Sequence, residues 1–215
     1  HKMDQVFCVV GGGAMHLNDS FGHRPDMKVL YHHHEQAAAI AAEAYARIQG
    51  KPGIVCVTSG PGAINALNGV TGAYQDSIPM LVISGQTKST LTVKASGLAL
   101  RTLGNQEFDI VSAVGNMTKY AEMLMDPYQI RYCLEKAYIL AVQGRPGPCW
   151  LDIPLDIQGA YVETEKLKGY TQPENCSSQT NLEHMLIQIA ELFCQAERPV
   201  IYAGNGIRIA HGAEL

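Results

Sequence analysis

Two rhythms of hydrophobic and polar positions alternate along this chain. Continuous apolar runs occupy residues 6–10, 53–58, 80–84 and 148–154, and between them lie longer stretches with apolar residues every third or fourth position. Short apolar runs bounded by glycine and proline read as strands covered on both faces, and the longer stretches read as helices. Residues 26–31 and 117–123 add two further strands, and helices are predicted over 36–48, 63–74 and 126–142. Strands that alternate with helices in this way imply an α/β fold, a parallel sheet with helices on both faces.

Some segments break the pattern. The helix at 36–48 is rich in alanine, whose small side chain favours helix and lets neighbours approach closely; Gly50, Pro52 and Gly53 end it. Residues 86–106 are polar and lack a period, so a long loop with at most short helical turns is expected there; loops of that length are often functional. Pro127 falls in the first turn of the 126–142 helix, where its missing N–H costs nothing. Residues 1–160 form one expected domain and 161–182, with glycine, proline and polar residues, a linker. Residues 183–215 begin a second, truncated α/β domain, with a helix from 182 to 196 and a strand at 199–203 leading into Gly204-Asn205-Gly206.

Composition narrows the function classes. Hydrophobic residues make up 47% and charged residues 17%, enough for a well-buried core. The formal net charge is -4 and the positive charges are scattered, so nucleic acid is not an expected partner. No apolar stretch reaches the length of a membrane span. Cys8, Cys56, Cys133, Cys149, Cys176 and Cys194 are far apart and form no C-x-x-C pair. A reduced, cytoplasmic protein is the expectation.

Chemistry concentrates at two junctions. Tyr31-His32-His33-His34-Glu35-Gln36 lies between a strand and the alanine-rich helix, where parallel α/β folds place their ligands. A carboxylate buried there suits proton exchange; Glu35 could equally be a helix-start glutamate favoured by the helix dipole. The second junction is Thr58-Ser59-Gly60-Pro61-Gly62-Ala63-Ile64-Asn65, directly after a strand. Its glycines permit a tight turn and close backbone approach to a ligand, although any strand-to-helix turn can look like this. His32, His33 and His34 invite a metal site, yet consecutive strand residues point to alternate faces and cannot converge on one ion; no metal ligand is assigned. Gly11-Gly12-Gly13 matches a dinucleotide loop loosely, since His16 stands where the third glycine belongs.

Together the junctions become specific. His34-Glu35-Gln36-Ala37, Ala44-Tyr45-Ala46-Arg47 and Gly50-Lys51-Pro52-Gly53 resemble the acetolactate synthases and their thiamine-diphosphate relatives. So do Thr58-Ser59-Gly60-Pro61-Gly62-Ala63 with Asn65, Ala73-Tyr74, Asp76-Ser77, Pro79 and Ser84-Gly85-Gln86. Gln106-Glu107, Gly144-Arg145-Pro146-Gly147-Pro148 and Asp152-Ile153-Pro154 extend the likeness. It runs over about residues 5–160 as a pyrimidine-binding domain and 185–215 as the start of the family's central domain.

The resemblance implies a cofactor, thiamine diphosphate, and roles for named residues. Glu35 would hydrogen-bond a ring nitrogen of the aminopyrimidine and so promote loss of the proton on the thiazolium carbon. Gly11 and Gly12 match the first turn near the site. Thr58, Gly60, Pro61, Gly62 and Asn65 would line the pyrimidine pocket or the dimer contact behind it. Gln106 matches a glutamine that reaches into the substrate region. The family binds the diphosphate through Mg²⁺ on a C-terminal domain opened by Gly-Asp-Gly, and no part of this sequence matches that motif. The implied activity is decarboxylation or carboligation of a 2-keto acid such as pyruvate, in a homodimer or homotetramer. The chain alone would carry half an active site and little activity.

The departures bear on substrate more than on cofactor. Asn105 stands where the family usually has phenylalanine, Val10 where it often has proline, and residues 87–104 are longer and differently worded. His16, in the first loop, has no counterpart. The alternative to an enzyme is a non-catalytic pyrimidine-binding or assembly module, which would not need an acid at Glu35; a stand-alone NAD or FAD domain ranks below both.

Overall fold

The apolar runs become the strands of one parallel sheet. In the computed structural model, which describes residues 3–173, 182–210 and 212, the strands are β1 (Gln5–Cys8), β2 (Lys28–Tyr31), β3 (Gly53–Val57), β4 (Met80–Gln86), β5 (Tyr120–Met123) and β6 (Pro148–Pro154). All pair in parallel, in the order β2-β1-β3-β4-β6-β5. β3, β4 and β6 are buried at every residue, as continuous apolar runs require, whereas the edge strands β2 and β5 are partly exposed.

Alternate residues of the strands build two separate cores. Phe7, Val55, Val57, Val82 and Trp150 pack on one face against α2 (Glu35–Gln49), α4 (Leu67–Gln75) and α6 (Ile110–Ala113). Cys8, Cys56, Leu81, Leu151 and Ile153 pack on the other against α1 (Met15–Gly22), α7 (Ile130–Val142) and α8 (Leu155–Gln158). Cys8, Cys56, Cys133 and Cys149 are free buried thiols that fill the second of these cores as small apolar side chains; Cys176 lies outside the described residues. The alanines of α2 do bring backbones together. A Cβ on Gly69 of α4 would stand 2.7 Å from the Ala39 side chain, so no larger residue fits at that crossing.

Elsewhere the elements differ from the periodic reading. The predicted 63–74 helix is two helices, α3 (Pro61–Asn65) and α4, parted at Ala66, whose N–H bonds the Ala63 carbonyl in a tightened turn. The first loop holds α1, so His16 is helical. Only Leu17 and Phe21 of α1 pack against the core, a stripe too brief to read as a period. Pro127 does open the later helix, in a 3₁₀ turn (Pro127–Gln129) capped by Asp126 ahead of α7. The segment 86–106 contains a 3₁₀ turn at Ser89–Leu91 and α5 (Val93–Ser96).

The chain divides into two units, His1–Gln172 and Pro173–Leu215. Taken by itself, the second contains α9 (Leu182–Gln195) and α10 (Gly206–Ile209). The strand expected at 199–203 is not formed. Val200, Ile201 and Tyr202 are 88%, 75% and 98% exposed, and the described residues of this unit offer no neighbouring strand to take their backbone hydrogen bonds.

Candidate active site

The strand order places the site. β1 leads to β2 on one side while the chain then crosses back to β3 on the other, so a crevice opens at the carboxyl ends of β1 and β3. Both glycine-bearing turns meet there. The Gly13 N–H donates to Thr58 Oγ1 at 3.1 Å, and a Cβ on Gly11 would stand 2.4 Å from the Thr58 Cβ. Gly11 thus lets the two turns close on each other, and Gly12 borders open space.

Glu35 is the first residue of α2, and His34 caps it by accepting the Gln36 N–H on Nδ1 at 3.1 Å. Its carboxylate is turned inward, only 9% exposed. Asn65, the last residue of α3, donates from Nδ2 to Glu35 Oε2 at 3.0 Å. The other oxygen, Oε1, has no donor among the described residues and lies where a Cβ on Gly62 would be 3.1 Å away. One carboxylate oxygen is therefore held while the other has no donor, and the corner is packed so closely that only glycine fits at position 62. Thr58 closes the same corner, 2.7 Å from that Gly62 position. Glu35 is a helix-start glutamate, and it is also buried with an amide partner.

A groove of about 460 Å³ adjoins this carboxylate, lined by Gly60, Pro61, Ile64, Asn65, Gln106, Glu107 and Phe108. That volume suits a small organic molecule. Glu35 is not on its wall; Asn65 belongs to both. Two unusual backbone conformations touch each other in its wall. Gly60 has φ +53° and Gln106 has φ 55°, and a Cβ on Gly60 would stand 2.2 Å from the Gln106 carbonyl oxygen. A non-glycine residue in the left-handed region carries strain of about 1–3 kcal/mol and clusters at functional sites. Of the residues predicted from sequence, Gly60, Pro61, Asn65 and Gln106 line the groove, Glu35, Thr58 and Gly62 form the carboxylate corner, and Gly11 and Gly12 shape the turn behind.

Two acidic residues given no role above also belong here. The Glu107 carboxylate accepts the N–H groups of Val93, Leu103 (2.7 Å) and Gly104 (3.4 Å), and so folds the long loop back on the groove wall. Asp152, buried on β6, accepts from Ser84 Oγ at 2.6 Å and Gln86 Nε2 at 3.0 Å. Burial pushes its carboxyl up to about 7, against the pull of those two hydrogen bonds and with a smaller upward push from the charge of Asp109. A lone aspartate inside an otherwise apolar strand was the signal that could have found it.

The three histidines diverge. The His32 ring tilts on Phe7 at 5.9 Å, His33 is exposed, and His34 is the helix cap. Among the described residues no group of three or more His, Cys, Asp or Glu side chains is placed to hold a metal ion. Nor is any described helix long and apolar enough to cross a membrane.

Comparison with known proteins meets this geometry. The chain is 34% identical to the chloroplastic acetolactate synthase of Arabidopsis thaliana over 210 residues, 95% of this chain and 30% of that protein. It is 34% identical to the acetolactate synthase large subunit of Buchnera aphidicola, over 99% of this chain and 36% of that protein. With the mitochondrial acetolactate synthase catalytic subunit of Saccharomyces cerevisiae it shares 32% identity, over 96% of this chain and 30% of that protein. The chain spans about a third of the length of these relatives. The family described as thiamine pyrophosphate enzyme, N-terminal TPP binding domain, matches residues 1–113, which include every residue of the carboxylate corner and the groove. The chain thus belongs to the thiamine pyrophosphate enzymes and carries their N-terminal TPP binding domain.

Proposed function

We propose that this chain supplies the pyrimidine-binding half of the active site in a thiamine-diphosphate-dependent 2-keto acid decarboxylase or carboligase of the acetolactate synthase type, a lyase or transferase acting on a substrate such as pyruvate. One observation carries the reading: a buried carboxylate whose Oε2 is held by Asn65 and whose Oε1 has no donor among the described residues. The residues present fit an aminopyrimidine in their chemistry, because a buried carboxylate oxygen without a donor can accept a hydrogen bond from a ring nitrogen. When bound, the cofactor supplies the carbon nucleophile that attacks a 2-keto acid.

The chain's own groups prepare that chemistry. Glu35 holds a proton at the ring nitrogen in a site where burial strengthens the hydrogen bond. Asn65 fixes the carboxylate rotamer, so that little reorganisation is left for the moment of proton transfer. Gln106, held by its strained backbone on the groove wall, reaches into the substrate region. The diphosphate and its Mg²⁺ fall to a separate domain, so these residues complete only half a site and the isolated chain is expected to turn nothing over. A homodimer or homotetramer fits the surface beside the site, where Ala37, Ile40 and Ala44 form an exposed small-residue stripe on α2 near exposed Ile64. The buried free thiols suit the reducing cytoplasm.

The test is CO₂ release from pyruvate by the holoenzyme that contains this chain, with thiamine diphosphate and Mg²⁺. Turnover that falls at least about a hundredfold in Glu35→Gln supports the reading; equal turnover in the variant, or none in the parent, refutes it.

A further inference from the structure

The carboxyl ends of β4 and β6 hold a closed polar chain inside an apolar core. Trp150, Ser84, Gln86 and Asp152 all face the core shared by α2, α4 and α6, and each is at most 1% exposed. The chain has a direction. Trp150 Nε1 donates to Ser84 Oγ at 2.8 Å, and Ser84 Oγ donates to Asp152 Oδ1. Gln86 spends its whole amide: Nε2 donates to Asp152 Oδ2 at 3.0 Å and to the Phe108 carbonyl at 2.9 Å, while Oε1 accepts the Thr87 N–H at 3.0 Å. Phe108 is on the groove wall beside Gln106 and Glu107.

An amide with four polar valences is rigid only when its neighbours dictate which end is nitrogen. Here Asp152 dictates it. With Asp152 Oδ2 unprotonated, turning the amide round would set its oxygen against both Oδ2 and the Phe108 carbonyl, three acceptors without a proton. Because Asp152 is fixed on β6 between β4 and β5, the orientation it imposes passes through Gln86 to a backbone carbonyl of the groove.

We propose that Asp152 is a positioning residue for the substrate groove, acting through Gln86 on the Phe108 carbonyl and so on the strained turn at Gln106. The role in catalysis rests on the function proposed above; the mechanical coupling does not. Only Oδ2 is needed as an acceptor, so an asparagine with its oxygen in that place preserves the coupling, with its N–H₂ turned to Ser84. A leucine abolishes it. Gln86→Met removes the same link from the other side and leaves the volume nearly unchanged.

The experiment has two readouts on Asp152→Leu, Asp152→Asn and Gln86→Met. The first is amide hydrogen exchange of this chain, followed by mass spectrometry over residues 104–110. Exchange about tenfold faster in Asp152→Leu and Gln86→Met is expected, with Asp152→Asn close to the parent and the β3 amides unchanged. Should Asp152→Leu not fold, Gln86→Met carries the same comparison. The second readout is steady-state kinetics of the holoenzyme on pyruvate. KM is expected to rise about tenfold in the two disrupting variants with kcat little changed, and Asp152→Asn is expected to restore KM. Unaltered exchange over 104–110 overturns the inference, and so does a loss confined to kcat that follows the folded fraction. If the parent has no 2-keto acid activity, the function reading fails by itself, and the exchange result still decides the coupling.

Discussion

Asp152→Asn should change how stability depends on pH, in a direction fixed by burial. The carboxyl of Asp152 is pushed up to about 7 in the folded chain from an ordinary value of 3.8. A group raised on folding binds its proton more tightly in the native state. Its contribution is therefore complete below about pH 4 and is lost as pH rises through about 7. The span is roughly three pH units, and at about 1.4 kcal/mol per unit the total is on the order of 4 kcal/mol. Asparagine imitates the protonated acid and carries no such dependence. The carboxylates Asp4, Asp26, Glu135 and Glu165 are held below their ordinary values, chiefly by hydrogen bonds, and act in the opposite direction. They are common to both proteins, so the difference isolates Asp152. Urea unfolding of parent and variant from pH 4.5 to 8.5 measures it. The variant is expected to gain steadily on the parent as pH rises, by about 3–4 kcal/mol over that range, or on the order of 10 °C in Tm. Stability curves that stay parallel from pH 4.5 to 8.5 would refute the assignment of a buried, nearly neutral acid.

Two further outcomes follow from the geometry. Gly60→Ala places a Cβ 2.2 Å from the Gln106 carbonyl at φ +53°, so a loss of about 2–3 kcal/mol is expected in urea unfolding; a neutral substitution would mean that the two turns are not held together. Ile40→Asp puts a charge in the exposed apolar stripe of α2, and a dimer of the parent is expected to dissociate to monomer in sedimentation at micromolar concentration. An unchanged dimer would move the interface off this helix.

The legible part of the fold was the part built on long apolar runs. β3, β4 and β6 are central and buried on both faces, so their sequences are largely apolar, with polar residues confined to the carboxyl ends of β4 and β6. α1 escaped because only Leu17 and Phe21 anchor it, and the break at Ala66 because alanine suits either side of a tightened turn. The strand at 199–203 had the composition of a strand, yet strand structure depends on a neighbour that local sequence does not supply. Within the site, the junction alone left Glu35 open between a buried acid and a helix-start glutamate; only the resemblance singled it out, and its burial and its Asn65 partner belong to the fold. Glu107 was not legible, since its partners are the backbone N–H groups of Val93, Leu103 and Gly104, which no side-chain pattern announces. Asp152 was visible as a residue and silent as a partner: its register opposite Ser84 exists only once β4 and β6 are paired.

Proton exchange at the thiazolium carbon of thiamine diphosphate, followed by NMR in D₂O with the Mg²⁺-loaded holoenzyme, bears most directly on Glu35. The parent is expected to exchange that proton at least about a hundredfold faster than Glu35→Gln, while both bind the cofactor and unfold at similar temperatures. Asn65→Ala, which frees the carboxylate rotamer without removing the acid, is expected to fall between them. Equal exchange rates in the parent and in Glu35→Gln, with the cofactor bound in each, would contradict the role of this carboxylate.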